Sequence, residues 1–91
     1  MMRAPTPGRP MPNRAGLPVD EEEMRRWLRR LCDREYREST GKIWVSRIRT
    51  AYAHGVTDEG AVDAVFVNYA NTTRCGMRQA LRELDKFRRS A

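Results

Sequence analysis

Cationic side chains recur at helical spacing in the last quarter of the chain. Four of them fall within about one quadrant of a helical wheel, opposite an apolar stripe: Arg78, Arg82, Lys86 and Arg89. Gln79 lies beside them. Long cationic side chains contact phosphates, and arginine or glutamine can also hydrogen-bond base edges in a major groove. This spacing predicts a helix face that binds DNA.

A second segment divides its surface in the same way. Lys42, Ser46 and Arg49 lie opposite Trp44 and Ile48 on a helical wheel. No aromatic residue interleaves the basic positions, which favours duplex over single-stranded nucleic acid. Ordinary solubilising charge is the alternative, since the chain is generally arginine-rich, with net charge +6.

Residues that could perform catalysis have simpler explanations. His54 falls at the predicted end of a helix, and three acids, Glu21 to Glu23, suit a helix N-terminus. Cys32 and Cys75, with a single histidine in the chain, are too few for a zinc site or a disulfide scaffold. The tyrosines fall on or beside apolar stripes, at positions 36, 52 and 69. We therefore predict no catalytic residue, metal, cofactor or small-molecule substrate.

The elements that would position these side chains are four helices. Apolar periodicity predicts them at residues 21–37, 41–54, 58–70 and 73–89. Asp20 is the expected N-cap of the first helix, and Gly55 the stop of the second. The remaining expected caps are Ser39 or Thr40, Thr57, and Asn71 or Thr72. Core positions are expected at Trp27, Trp44, Ile48, Leu81, Leu84 and Phe87.

All five prolines lie in the first 19 residues, which show no apolar periodicity. We predict a flexible arm at 1–19, with Arg3, Arg9 and Arg14 adding non-specific contacts, and one folded domain at 20–91. No apolar run has the length of a membrane span, and no signal-peptide core is present, so we expect a cytoplasmic protein without membrane contact.

Charge is unevenly distributed among the predicted helices. Residues 39–56 hold three cations and no acid, and residues 71–91 hold six cations and two acids. Residues 57–70 hold three acids and no cation, whereas residues 20–38 mix six arginines with seven acids. We expect the second and fourth helices to face a polyanion, and the acidic third to turn away from it.

The second and fourth helices also begin alike. Thr40 is followed by Trp44 and Ile48, and Thr73 is followed by Met77 and Leu81. With Thr-Thr-Arg leading into Ala-Leu-Arg and Phe, residues 20–89 resemble the core-binding domain of the tyrosine recombinase (phage integrase) family. That domain typically opens one helix with Ser/Thr-x-x-x-Tyr-x-x-x-Leu. Trp44 and Met77 stand where the family usually has tyrosine, and the family's Arg…His-x-x-Arg…Tyr catalytic set is absent.

The resemblance implies an all-α, four-helix SAM-like orthogonal bundle that binds double-stranded DNA in integration and recombination. Further recombinase protomers or a catalytic domain are the other partners it implies. A helical protein-interaction module without DNA affinity is the alternative, and an RNA ligand stays open. The predicted DNA-binding residues are Thr40, Lys42, Ser46, Arg47, Arg49, Thr73, Arg74, Arg78, Gln79, Arg82, Lys86 and Arg89.

Overall fold

Residues 16–90 are described by a computed structural model, and in this part of the chain all regular structure is helical. There are four α-helices and one short 3-10 helix: α1 (Glu21–Asp33), α2 (Glu38–Ala53), η1 (Glu59–Ala61), α3 (Val62–Val65) and α4 (Asn71–Arg89). The predicted arm lies outside the described residues as far as position 15. Within 16–19, the Leu17 N–H donates to the Tyr52 carbonyl at 2.8 Å, and Val19 packs against the core.

The first helix begins where predicted and ends four residues early. The Asp20 carboxylate accepts hydrogen bonds from the N–H groups of Glu22 (3.0 Å) and Glu23 (3.1 Å), which confirms the N-cap. At the other end, Glu35 has a positive φ of 67°. The Tyr36 N–H donates to the Leu31 carbonyl at 3.0 Å, as in a Schellman turn. The predicted helix over 21–37 was therefore too long.

The second helix begins earlier than predicted, at Glu38. The proposed caps Ser39 and Thr40 lie inside it, and the N-cap Arg37 makes no side-chain capping bond. Gly55 ends it in a second Schellman turn, with φ 75° and the Val56 N–H donating to a carbonyl one turn back. Here the predicted stop is confirmed.

The prediction of a third helix over residues 58–70 is largely wrong. The chain forms η1 followed by only the four residues of α3, and neither begins with a side-chain capping bond. Phe66 leaves the helical region at φ −101° and ψ 37° and is fully buried. Valines at 62, 65 and 67 favour helix weakly, so burial of the aromatic ring decides the local backbone.

The fourth helix starts at Asn71, so neither predicted cap precedes it, and Ala70 occupies the N-cap position without a side-chain bond. It ends at Arg89, as expected.

The core lies where α2 packs against α1 on one side and α4 on the other, with η1 and α3 covering the remaining side of α4. The Trp27 and Trp44 rings stack with centroids 6.3 Å apart. Of the expected core residues, Phe87 is only partly buried. The other five are buried, as predicted: Trp27, Trp44, Ile48, Leu81 and Leu84.

Candidate nucleic-acid interface

The fourth helix presents one continuous outward face. It is 19 residues long, which corresponds to about 28 Å. Met77, Leu81 and Leu84 are buried on one side. The exposed residues opposite them are Thr72, Cys75, Gln79 and Lys86. This face is polar, uncovered by any other described element, and long enough to lie in a DNA groove.

One edge of α4 is bound to carboxylates. Arg78 donates to the Asp63 carboxylate, and Arg82 donates to Glu59 through Nε (3.1 Å) and a terminal nitrogen (2.8 Å). The hydrogen bonds from Arg82 to Glu59 raise the pKa of that guanidinium above its usual value. The acidic segment was expected to turn away from a polyanion. In the structure it packs against α4 and pairs with the arginines of that helix, because the apolar residues of α3 are buried beside it.

Arg74 shares the same carboxylate. Its terminal nitrogen lies 3.6 Å from Asp63, so one acid faces both Arg74 and Arg78. The Nε of Arg74 is buried and has no hydrogen-bond partner. A positive charge is therefore left over at this site.

Arg47 of α2 lies against the opposite edge of α4. A Cβ added at Gly76 would lie 3.6 Å from the Arg47 Nε, an ordinary contact. No other atom crowds that position, so close helix packing does not require this glycine. Arg47 is half-buried and has no carboxylate within 4.0 Å among the described residues.

Other predicted residues of α2 face a different neighbour. Lys42, Ser46 and Arg49 line a groove between α1 and α2. Arg49 donates to Glu21 through both terminal guanidinium nitrogens, one of them at 2.6 Å. Hydrogen bonding to Arg49 lowers the pKa of Glu21, and the same pair raises the pKa of Arg49. The structure therefore does not bring these three side chains together with the outward face of α4.

Of the remaining predicted residues, Thr40 lies in the first turn of α2 and the others lie on α4. Thr40 and Thr73 are half-buried. Lys86 pairs with Glu83 at 3.3 Å, and Arg89 pairs with Asp85 at 2.9 Å, both within α4. Lys42 likewise pairs with Glu38 at 3.5 Å. Most of the predicted cations thus already have a carboxylate partner.

The arginines of α1 and of the turn after it were not among the predicted DNA-binding residues. The first-turn acids of α1 reach other helices: Glu21 binds Arg49, and Glu23 binds Arg88 at 2.7 and 3.0 Å. Five arginines that follow have no carboxylate within 4.0 Å in residues 16–90: Arg25, Arg29, Arg30, Arg34 and Arg37. The order of charges, acids first and arginines after, was the available signal, and a net sum over the segment hid it.

No grouping of three potential metal ligands occurs within residues 16–90, and both cysteines there are free. None of the described helices has the length and hydropathy that a bilayer crossing demands. No family model, no curated protein and no solved structure matches this chain.

Proposed function

We propose that this domain binds double-stranded DNA without catalysis, placing the outward face of α4 in a groove. The observation that carries the proposal is the exposed polar face of α4 with arginines at both of its edges. A major groove admits one α-helix, and residues at its rims reach the phosphates. The role in DNA integration or recombination, as a core-binding module or a stand-alone relative with a SAM-like orthogonal bundle, rests on the sequence resemblance.

Within this proposal the residues of α4 divide by task. Gln79 at the centre of the outward face can pair with adenine, which presents a matching acceptor and donor in the major groove. Arg78 and Arg82 contact phosphate after exchanging Asp63 and Glu59 for the DNA backbone. The leftover charge at Asp63 favours that exchange, because two arginines share one acid.

The test is a fluorescence-anisotropy titration of a labelled random duplex, repeated at several salt concentrations. A steep loss of affinity with salt is expected, since neutralised phosphates release counterions. Arg78→Gln/Arg82→Gln weakens binding about tenfold, equivalent to roughly 1.4 kcal/mol. Lys42→Gln/Arg49→Gln removes the same number of charges from the α1–α2 groove. This variant is expected to weaken duplex binding much less. Helicity measured by circular dichroism stays unchanged in both.

A helical protein-interaction module is the second candidate. The groove between α1 and α2 favours it, because Met24, Leu28 and Val45 form part of its walls. No duplex binding at low salt would contradict DNA binding and favour this alternative. Equal affinity for a single strand of the same length would contradict the assignment to duplex DNA.

A further inference from the structure

The arginines without acidic partners lie mostly on the outer side of α1. Arg25 and Arg29 fall opposite the buried Met24 and Trp27 on a helical wheel. Arg30 lies at the side of the helix, about a quarter-turn from the buried face. All three are exposed. Packing therefore fixes the helix through one face and leaves the guanidinium groups of the other face in solvent.

Two of these arginines, Arg29 and Arg30, border α4. A shallow groove is lined by Arg26, Arg29, Arg30 and Asp33 of α1 together with Phe87 of α4. Phe87 projects from nearly the same edge of α4 as Gly76, since their separation along the helix corresponds to about three turns. Arg47 lies against Gly76.

Arg47 of α2 thus lies beside this edge of α4 near the start of the helix. Arg29 and Arg30 of α1 lie beside the same edge near the end of the helix, roughly 16 Å further along. We call these three side chains the arginine edge. Asp33 is the one carboxylate that lines the groove. Among residues 16–90, no cationic side-chain nitrogen lies within 4.0 Å of the Asp33 carboxylate. The other edge of α4 is the one where Asp63 and Glu59 hold arginines.

We propose that the arginine edge binds the phosphate backbone that runs beside the groove occupied by α4. This inference rests on the proposed duplex binding and adds α1 to the DNA-binding surface. It also assigns most of the salt-sensitive affinity to α1 and Arg47, rather than to the cations of α4.

The difference between the two edges has a direct electrostatic reason. An arginine that has no carboxylate partner has its full charge available to a phosphate. A paired arginine must first leave its carboxylate, and that cost offsets part of the energy gained at the phosphate. A repeated row of phosphates is also the ligand that suits cations spaced along one line, because a duplex presents one charge per strand about every 3.4 Å.

The experiment measures the slope of log affinity against log salt for a random duplex. Arg29→Gln/Arg30→Gln is expected to reduce the slope by roughly 1.8, since each phosphate that is no longer neutralised lowers it by about 0.9. Arg47→Gln is expected to reduce it by about 0.9. Glutamine keeps a helix propensity close to that of arginine, so the helices are retained. The matched control, Lys42→Gln/Arg49→Gln, removes two paired cations and changes the slope by less than half as much.

The outcomes separate this inference from the function on which it rests. A reduced slope in the α1 double variant, with a change less than half as large in the control, supports the arginine edge. An unchanged slope in that variant, while Arg78→Gln/Arg82→Gln still weakens binding, overturns the arginine edge and leaves duplex binding by α4 intact. Absence of duplex binding by the wild-type chain at low salt overturns both.

Discussion

The first and fourth helices are built alike on their inner faces and differ on their outer ones. Both bury one apolar stripe and carry several arginines outside it. In α4, Arg74, Arg78 and Arg82 lie beside carboxylates, whereas Arg29 and Arg30 of α1 have none within 4.0 Å in the described chain. The comparison shows that the charge a helix offers to a ligand depends on its neighbours in the fold.

The capping of α1 explains the difference. Acids concentrate in its first turn, where Asp20 caps the helix and the helix dipole favours negative charge. That position places Glu21 beside Arg49 and Glu23 beside Arg88, on two other helices. Glu21 and Glu23 therefore neutralise neighbouring helices, and only Glu22 pairs within α1, with Arg26. Arg29 and Arg30 are left without a carboxylate within 4.0 Å in the described chain.

The largest expected effect is a loss of unfolding free energy, caused by substitutions on the inner faces, where the two helices are alike. Trp27→Ala removes a fully buried ring that stacks on Trp44, and we expect it to cost about 3–5 kcal/mol of unfolding free energy. Leu84→Ala on α4 is the counterpart, at about 2–5 kcal/mol. Urea unfolding followed by circular dichroism and tryptophan fluorescence gives one shared transition for each variant. Two separate transitions would show that α1 does not fold cooperatively with α4.

The next largest effect is expected on duplex affinity, from a substitution that makes α4 resemble α1. Asp63→Asn removes the acid shared by Arg74 and Arg78, and duplex affinity is expected to rise roughly fivefold, or about 1 kcal/mol for one exposed charge. Glu38→Gln makes the same charge change beside Lys42 and is the matched control. A gain no greater than the control's would mean that Asp63 does not compete with the ligand. Anisotropy titration at fixed salt measures both.

A smaller effect on the unfolding free energy is expected from a substitution in the turn after α1. Glu35 occupies the left-handed position that Gly55 occupies after α2. Glu35→Gly is expected to raise the unfolding free energy by about 0.5–1 kcal/mol, because a side chain is strained at positive φ. Glu35→Gln, which loses the charge but keeps the side chain, should not stabilise. Thermal or urea unfolding distinguishes a backbone effect from an electrostatic one.

The smallest effect is pH-dependent and concerns Glu23. Hydrogen bonds from Arg88 lower the pKa of Glu23 below its ordinary value of 4.5. The folded state therefore binds the proton less readily, and the stabilisation is present above about pH 4.5 and is lost as the pH falls through the lowered pKa. Glu23→Gln should cost about 0.2–1 kcal/mol near pH 7 and nothing in strong acid.

Glu22→Gln is the control for that measurement, because Glu22 pairs only within α1, with Arg26 at 3.5 Å. It should change stability less than Glu23→Gln at neutral pH. A Glu23→Gln penalty that persists unchanged into strong acid would contradict the linkage.

Periodicity and capping chemistry predicted much of the fold. The start of α1 followed from Asp20, the end of α2 from Gly55, and the core from the apolar stripes. The early end of α1 was not predictable, because Glu35 adopts a conformation usually reserved for glycine. The third segment failed for another reason: the burial of Phe66 outweighed the local pattern.

The candidate site was harder to predict than the fold. Sequence spacing identified the outward face of α4 with Gln79 and Lys86. It could not show that Asp63 and Glu59 come to lie beside Arg78 and Arg82, since those pairs span 15 and 23 residues. Whether these side chains bind DNA stays a prediction for the anisotropy titrations.

The carboxylate between Arg74 and Arg78 has a consequence for the entropy of ligand binding. Long side chains lose up to about 2 kcal/mol of rotamer freedom when they are immobilised. At 24% and 27% side-chain exposure, these two guanidinium groups are already restrained by Asp63 and by packing when the domain folds. An incoming anion that displaces Asp63 would therefore meet two donors that packing still restrains, so less disorder is lost when it binds.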